Sequence, residues 1–294
     1  MGEKNQVAAL ARMFSSTVLR ELGKKQKSHL FLKLLESSGL LKELPADANI
    51  STCFDRAFSI LKKKDNRHEY VYKSALAQKV LLGIHNLETA SMLTEFRAYK
   101  SKADVVILNG TSSVYEIKSE RDKTNRLEAQ IKSYSKIFDK INVIVGEKHV
   151  ESIFSMIPDY VGVQVLSSRF QVSQKREAGS NIENVDTSVI FDSLRRNEIQ
   201  NILNFEGYEI PNLPNTKIHS YLKNIFSQLT PIQAHTGMVR ELKKSRNSRP
   251  LKSFLTNMPN SLKAAAISIP FSSSERANLE SILSFKVKDI LHWV

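Results

Sequence analysis

Asp104, Glu116 and Lys118 are the residues whose types and spacing best fit a chemical function. Asp104 opens the apolar run 104–108, and Glu116 and Lys118 lie in a second run after an Asn-Gly turn at 109–110. Side chains alternate between the faces of a strand, so Glu116 and Lys118 share one side. Pairing across the turn brings Asp104 to that side. Two carboxylates beside an ammonium are the parts of a Mg²⁺-dependent site that cleaves phosphodiesters.

In this interpretation Asp104 and Glu116 supply hard oxygen ligands for Mg²⁺ or Mn²⁺. Lys118 orients or helps to deprotonate the attacking water and offsets phosphate charge. The alternative is a solvated face with a surface salt bridge, because charged residues at period two often mean no more than that. The acid at the start of an otherwise apolar strand favours the functional interpretation.

The elements that must position these residues form an α/β pattern. The periodicity predicts a helix over 69–82, three strands at 93–99, 104–108 and 114–118, a helix over 126–138, a strand at 141–145, a short helix over 151–157 and a strand at 161–166. This order indicates a mixed sheet of four to five strands with helices on both faces. We expect a helical region at 1–66, the core at 67–170, and a mostly helical basic region at 171–294 that opens with a polar linker over 171–182.

The arrangement resembles the PD-(D/E)XK nuclease superfamily, whose Asp-x(n)-Glu-x-Lys signature matches Asp104, Glu116 and Lys118. The proline that usually precedes the aspartate is replaced by Ala103. The resemblance covers about residues 67–170 and implies a restriction-endonuclease-like core and a Mg²⁺-dependent nuclease acting on nucleic acid, with DNA the expected substrate. The alternative is a catalytically silent nucleic-acid-binding or partner-dependent module that kept this fold.

Three further residues are carried over from the superfamily. Glu69 occupies the place of an additional glutamate near the start of the first core helix, and the resemblance implies a role in the metal site. It would otherwise be a helix N-terminal acid favoured by the helix dipole. Gln130 and Tyr134 match the Gln-x-x-x-Tyr motif of RecB-type domains, and residues four apart share a helix face. They would contact the substrate or brace the site; otherwise Tyr134 is core and Gln130 solvated. Glu95 and Glu120 are weaker candidates.

Composition limits the other possibilities. The chain of 294 residues has 43 Lys and Arg against 30 Asp and Glu, a formal charge of +13 that favours a polyanionic partner. A single cysteine excludes an internal disulfide and a multi-cysteine zinc site. No histidine pair has metal-ligand spacing, and no Gly-rich phosphate loop is present. We expect a cytoplasmic protein with no membrane association, and a homo-oligomer or a protein partner stays open.

A basic run in the last third is a candidate for nucleic-acid contact. Serine and asparagine are interleaved with its cations, which are Arg240, Lys243, Lys244, Arg246, Arg249 and Lys252. Such a run suits a phosphate backbone, although a solvated basic loop has the same composition.

The basic run generates a binding prediction. Alanine substitution across it should weaken DNA binding and flatten the salt dependence, because a protein that makes fewer phosphate contacts releases fewer counterions from the DNA when it binds. Titration of labelled DNA at several salt concentrations measures both quantities. Unchanged affinity and salt slope would remove the segment from the interface.

Overall fold

The protein is described by a computed structural model that covers residues 3–246 and 248–293. Its centre is one mixed sheet in which the strands lie in chain order from β1 to β6. The strands are β1 (Ser91–Ala98), β2 (Ser101–Asn109), β3 (Thr111–Lys118), β4 (Lys140–Gly146), β5 (Gly162–Leu166) and β6 (Val172–Arg176). β3, β4 and β5 run parallel, whereas the β1–β2, β2–β3 and β5–β6 pairs are antiparallel.

Helices cover both faces of the sheet. One layer combines the N-terminal helices with the C-terminal ones: α1 (Glu3–Met13), α2 (Ser16–Lys25), α3 (His29–Ser38), α4 (Leu40–Glu43), α5 (Ile50–Leu61), α6 (Glu69–Ala75), α13 (Lys252–Asn257), α14 (Lys263–Ser268), α15 (Ser273–Ile282) and α16 (Val287–Ile290). The opposite layer contains α7 (Leu127–Tyr134), α8 (Val150–Phe154), α9 (Thr187–Ser193), α10 (Arg196–Phe205), α11 (Asn215–Phe226) and α12 (Pro231–Ser245). Within the described residues, none of these helices is long and apolar enough to cross a bilayer.

The expected α/β class, with a helix-flanked mixed sheet and helical ends, is confirmed. The expected number of strands was too low, because β6 occupies the segment predicted to be a linker. β6 is an edge strand whose side chains are mostly exposed, so its polar sequence lacks the apolar alternation of a half-buried strand. The sheet therefore continues past residue 170, and the last third of the chain divides between the two helical layers.

Residues 187–204, whose apolar periodicity predicts one helix, form two helices, α9 and α10. Leu194 and Arg195 have extended backbones, with ψ of 156° and 155°. Glu198 ends this break because its Oε2 accepts a hydrogen bond from Arg195 N at 2.8 Å, which caps α10. Apolar periodicity continued across the break and concealed it.

The hairpin that joins β2 and β3 is confirmed. Asn109 pairs with Thr111 around Gly110, whose φ is +72°. A residue without Cβ adopts this left-handed conformation readily. The turn fixes the β2–β3 register, which continues from Asn109–Thr111 to Val105–Tyr115 and stops there. Asp104 and Glu116 are the next two residues beyond the last pair.

In both β1 and β2, the alternation of side chains between the two helical layers reverses at the same level of the sheet. Met92 and Val105 pack in the layer that contains α6, whereas Phe96 and Ala103 pack in the layer that contains α7. Strict alternation would put Met92 and Phe96 on one face. The reversal occurs between the pairs Thr94–Val105 and Phe96–Ala103, where the pairing skips Glu95 and Asp104. Glu95 has φ of +54°, an uncommon conformation for a residue with a Cβ.

A buried hydrogen bond fastens α12 to the start of β3. His235 is 1% exposed, and its Nε2 lies 2.7 Å from Ser112 Oγ. Ser112 Oγ also accepts a hydrogen bond from Asp139 N at 3.1 Å. Burial lowers the pKa of His235 to about 4, although the nearby Asp139 acts in the opposite direction.

The His235 pKa predicts a loss of stability in acid. Between about pH 6.5 and pH 4 the unfolded chain binds a proton at this histidine that the folded chain does not, so the contribution of His235 to the free energy of unfolding should fall by about 3 kcal/mol as the pH is lowered. The decrease should be absent in His235→Gln, whose own cost does not depend on pH. Urea unfolding of both proteins at about pH 7 and about pH 4.5 measures the difference. An equal pH dependence in both proteins would contradict the assignment.

Candidate functional site

Glu116 is a buried carboxylate that is held by a network of hydrogen bonds. Its side chain is 2% exposed and that of Lys118 is 9% exposed. Lys118 Nζ donates to Glu116 Oε1 at 2.7 Å and to Gln130 Oε1 at 2.9 Å. Gln130 Nε2 donates to Glu116 Oε1 at 2.5 Å, and Tyr134 Oη donates to Glu116 Oε2 at 2.6 Å. We call Glu116, Lys118, Gln130 and Tyr134 the buried network.

The network joins β3 to α7. Glu116 and Lys118 alternate with inward residues of the opposite layer, so both point towards α7. Gln130 and Tyr134 are four residues apart and therefore present one helix face to β3. Burial, and then the charge of Glu116, raise the pKa of Tyr134, so its hydroxyl stays protonated and able to donate. Gln130 braces both the acid and the lysine, and Tyr134 braces the acid.

A second group of acids lies beside the network. Ligand oxygens of Glu69, Glu95 and Asp104 all lie within 4.8 Å of one another. We call these three residues the acid cluster. Lys73, one turn after Glu69 on α6, pairs with Glu69 and Glu95, and Lys102 Nζ lies 2.8 Å from Glu95 Oε2. The side chains of Glu69 and Glu95 are 50% and 44% exposed, so the cluster opens to solvent.

Asp104 connects the acid cluster to the buried network. Because β2 and β3 part after Val105–Tyr115, Ile117 N has no strand partner on this side and donates to Asp104 Oδ2 at 2.8 Å. Burial, and then the charge of Glu116, raise the pKa of Asp104 to about 8; Glu69 adds to the rise, while the Ile117 hydrogen bond and Lys73 oppose it. The carboxyl therefore lies in a field of excess negative charge.

The donor set fits the divalent cation that the superfamily resemblance implies. Mg²⁺ and Mn²⁺ prefer carboxylate oxygens, and the acid cluster supplies three at short mutual distances. Lys73 already places a cation between two of these acids. A metal ion would be held by Glu69, Glu95 and Asp104. Glu116 adjoins Asp104 at the point where β2 and β3 separate after the pair Val105–Tyr115, which we call the strand fork.

The geometry regroups the predicted ligands. Asp104 and Glu69 lie together as expected, but the third acid within 4.8 Å is Glu95 and not Glu116. Glu95 was only a weaker candidate because its position near Asp104 depends on the β1–β2 register, for which the sequence carries no turn signal of the Asn-Gly kind. Glu120 belongs elsewhere, since it accepts a hydrogen bond from Tyr72 Oη at 2.9 Å and lies 3.8 Å from Arg67.

The predicted basic run is only partly available for a ligand. Arg246 donates to the fully buried Glu198 at 3.0 Å. The guanidinium of Arg240 lies 3.4 Å from the centre of the Phe205 ring. The remaining lysines differ in exposure: Lys243 is half-buried, Lys244 is exposed, and Lys252 pairs with Glu88 at 3.1 Å. The side chain of Arg249 lies outside the described part of the chain. A nucleic-acid role for this set stays a prediction.

The raised pKa of Asp104 makes a stability prediction. The folded chain keeps this proton up to about pH 8 while the unfolded chain releases it near pH 4, so the free energy of unfolding decreases as pH rises between these values. Asp104→Asn keeps an acceptor for Ile117 N and removes the charge. At about pH 8.5, without divalent ions, we expect it to melt about 4 °C above the unsubstituted protein, and near pH 4 we expect no gain. Thermal unfolding at both pH values checks this, and a gain of equal size at both would contradict it.

Comparison with known proteins identifies the family of this chain. The chain is 21% identical over 225 residues to "Protein cII" of Enterobacteria phage P4, an alignment that spans 75% of this chain and 80% of that protein. A solved structure, the SPO1766 protein of unknown function from Silicibacter pomeroyi, aligns over 60% of this chain and 89% of its own, with 16% identity and a TM-score of 0.29. The family described as Bacteriophage P4 protein cII matches residues 62–269, which include the acid cluster, the buried network and the whole sheet. The chain belongs to the Bacteriophage P4 protein cII family.

Proposed function

We propose that the protein is a metal-dependent nuclease that hydrolyses phosphodiester bonds in DNA, built on a restriction-endonuclease-like core of α6, α7 and β1–β5. The observation that carries the proposal is the strand fork. There Asp104 contacts the backbone of β3 and brings the solvent-open acid cluster next to the buried Glu116–Lys118 pair. Hard oxygen donors and an ammonium are the groups that phosphodiester hydrolysis uses.

In the proposed reaction, water adds to phosphorus and the bond from phosphorus to one sugar oxygen breaks. One proton of the water goes to the leaving sugar oxygen, and the products are a phosphate monoester and a sugar hydroxyl. A bound Mg²⁺ or Mn²⁺ would supply Lewis-acid charge to this step. Glu69, Glu95 and Asp104 would hold the cation, and Glu116 would fix the position of Lys118.

Lys118 has one N–H to offer to the reaction. Two of its three N–H groups are used by Glu116 and Gln130, and the described residues provide no partner for the third. An ammonium held on two sides is oriented before substrate arrives, and such preorganisation lowers the cost of reaching the transition state. Lys118 would donate this hydrogen bond to the attacking water or to a phosphate oxygen.

One observation favours a second candidate, a catalytically silent module that binds nucleic acid or acts with a partner. Glu116 and Lys118 are almost fully buried and satisfy each other, which a purely structural pair would also do. The relative named above belongs to a phage, which agrees with a component of a mobile element that acts only with its partner. An assembly of several copies of this chain is compatible with either candidate.

The nuclease proposal predicts metal-dependent cleavage. The purified protein should degrade DNA in Mg²⁺ or Mn²⁺, and Glu116→Ala and Lys118→Ala should each lower the rate by about 10²-fold or more, because both remove preorganised charge. Glu128→Gln and Lys132→Ala are matched controls, since both residues are exposed on α7. Gel assays of linear, circular and single-stranded substrates measure the rates. Equal activity in all five proteins would identify a contaminant or another site.

Metal titration separates the two candidates. Calorimetry should detect one divalent cation per chain, with binding that is weakened in Glu69→Gln and Asp104→Asn and retained in Glu128→Gln, because only the first two remove ligand charge. A silent module that lost its metal would give the same negligible heat in every variant. That result, together with the absence of cleavage, would leave the second candidate.

A further inference from the structure

A groove runs along the free edge of β1 and includes Glu95 of the acid cluster in its lining. Its volume is about 520 Å³, and its floor includes Leu93, Phe96 and Arg97 of β1 together with Glu95. One wall comes from the α9–α10 junction, and the other from residues 267–271 and α15. We call this cavity the edge groove. β1 is the first strand of the sheet, so the edge groove lies between the two helical layers.

Arginine dominates the charge of the edge groove. Among its described lining residues, Arg97, Arg195, Arg246 and Arg276 stand against one acid, Glu95. Arg246 is engaged by the buried Glu198, and Arg276 donates to Ser273 at 3.2 Å. Arg97 and Arg195 are exposed, and within residues 3–246 and 248–293 neither has an acid within ion-pair distance. Two guanidinium groups are therefore free to contact an anion.

Apolar side chains form part of the lining between the arginines. Phe96 and Phe271 are 5% and 9% exposed, and Leu93, Pro250 and Pro270 line the same cavity. Guanidinium groups beside apolar surface suit a strand whose phosphates and base faces are both accessible. A duplex stacks its base faces inside and offers only phosphates to such a surface.

The edge of β1 is unsuited to the other occupant that an edge strand can take, an added β-strand from a peptide. Strand addition needs a continuous row of backbone donors and acceptors. Glu95, with φ of +54°, interrupts that row in the middle of the edge groove, where β1 changes faces. The arginines add a charge preference for a polyanion.

We propose that the edge groove binds single-stranded DNA and leads it to the acid cluster, with Arg97 and Arg195 contacting its phosphates. This inference rests on the proposed nuclease function for its choice of DNA. The link to the acid cluster follows from the geometry, because Glu95 belongs to both the groove lining and the acid cluster. A strand that lies in the groove therefore passes the acid cluster with a phosphate near Glu95.

The test is binding in EDTA, so that no cleavage occurs. A fluorescent single-stranded DNA of about 12 nucleotides is titrated into the full chain, and anisotropy gives the Kd at several salt concentrations. Arg97→Gln/Arg195→Gln should weaken binding about tenfold and lower the slope of log Kd against log salt by about 1.4, the value for two phosphate contacts on a single strand. Both residues are exposed, and circular dichroism confirms that the variant folds.

Arg169→Gln/Lys175→Gln is the matched control. It removes the same charge from exposed residues at the β6 edge, at the other end of the sheet. It should bind like the unsubstituted protein. Equal weakening in both double variants would overturn the proposal, as would undetectable binding of the single strand by the unsubstituted chain. Tighter binding of the matching duplex or RNA would overturn the assignment to single-stranded DNA.

These outcomes are separable from the failure of the nuclease proposal. Groove-dependent binding without any cleavage in Mg²⁺ would support the edge groove and leave the protein as a binding module. Cleavage that is unaffected by Arg97→Gln/Arg195→Gln, with unchanged affinity, would keep the nuclease and reject this path to its site.

Discussion

The burial of the Glu116 carboxylate is the constraint on which the site depends. A charge that is 2% exposed is costly unless it is paired and hydrogen-bonded. Lys118 from the same strand and Gln130 and Tyr134 from α7 meet this requirement together. α7 therefore cannot shift or rotate on the sheet without leaving a buried charge unpaired. The position of one helix and the orientation of the lysine follow from one acid.

The strand fork beside Glu116 has a cost of its own. Glu95 adopts a left-handed backbone conformation in a strand, which costs about 1–3 kcal/mol for a residue with a Cβ. Because side-chain alternation reverses in β1 and β2 at this level, Phe96 and Ala103 pack in the core beside α7. Met92 and Val105 pack in the core beside α6. Both helical layers thereby meet the sheet at Asp104. α6 supplies Glu69 and Lys73 from one side, and α7 supplies Gln130 and Tyr134 from the other.

Local patterns predicted the parts of this structure that local physics determines. The Asn-Gly turn fixes the β2–β3 register, and the four-residue spacing of Gln130 and Tyr134 fixes their common face, so both were readable from the sequence. The role of Glu95 was not readable, because it depends on pairing between strands joined by a short loop whose Tyr99 also has positive φ, +54°. β6 was hidden because an exposed edge strand needs no apolar alternation. Arg97, Arg195 and Arg276 are distant in sequence, and only the tertiary fold assembles them.

The charge distribution around the acid cluster explains why these acids tolerate one another. Three carboxylates with oxygens within 4.8 Å repel, and the pKa of Asp104 is raised by burial, then by the charge of Glu116, and further by that of Glu69. Lys73 is only 14% exposed and lies between Glu69 and Glu95, so it offsets the repulsion where solvent screening is weak. Any divalent cation that enters the proposed site competes with this ammonium for the same oxygens. The charge of Lys73 thus stabilises the fold and at the same time limits how tightly the acid cluster can hold a metal.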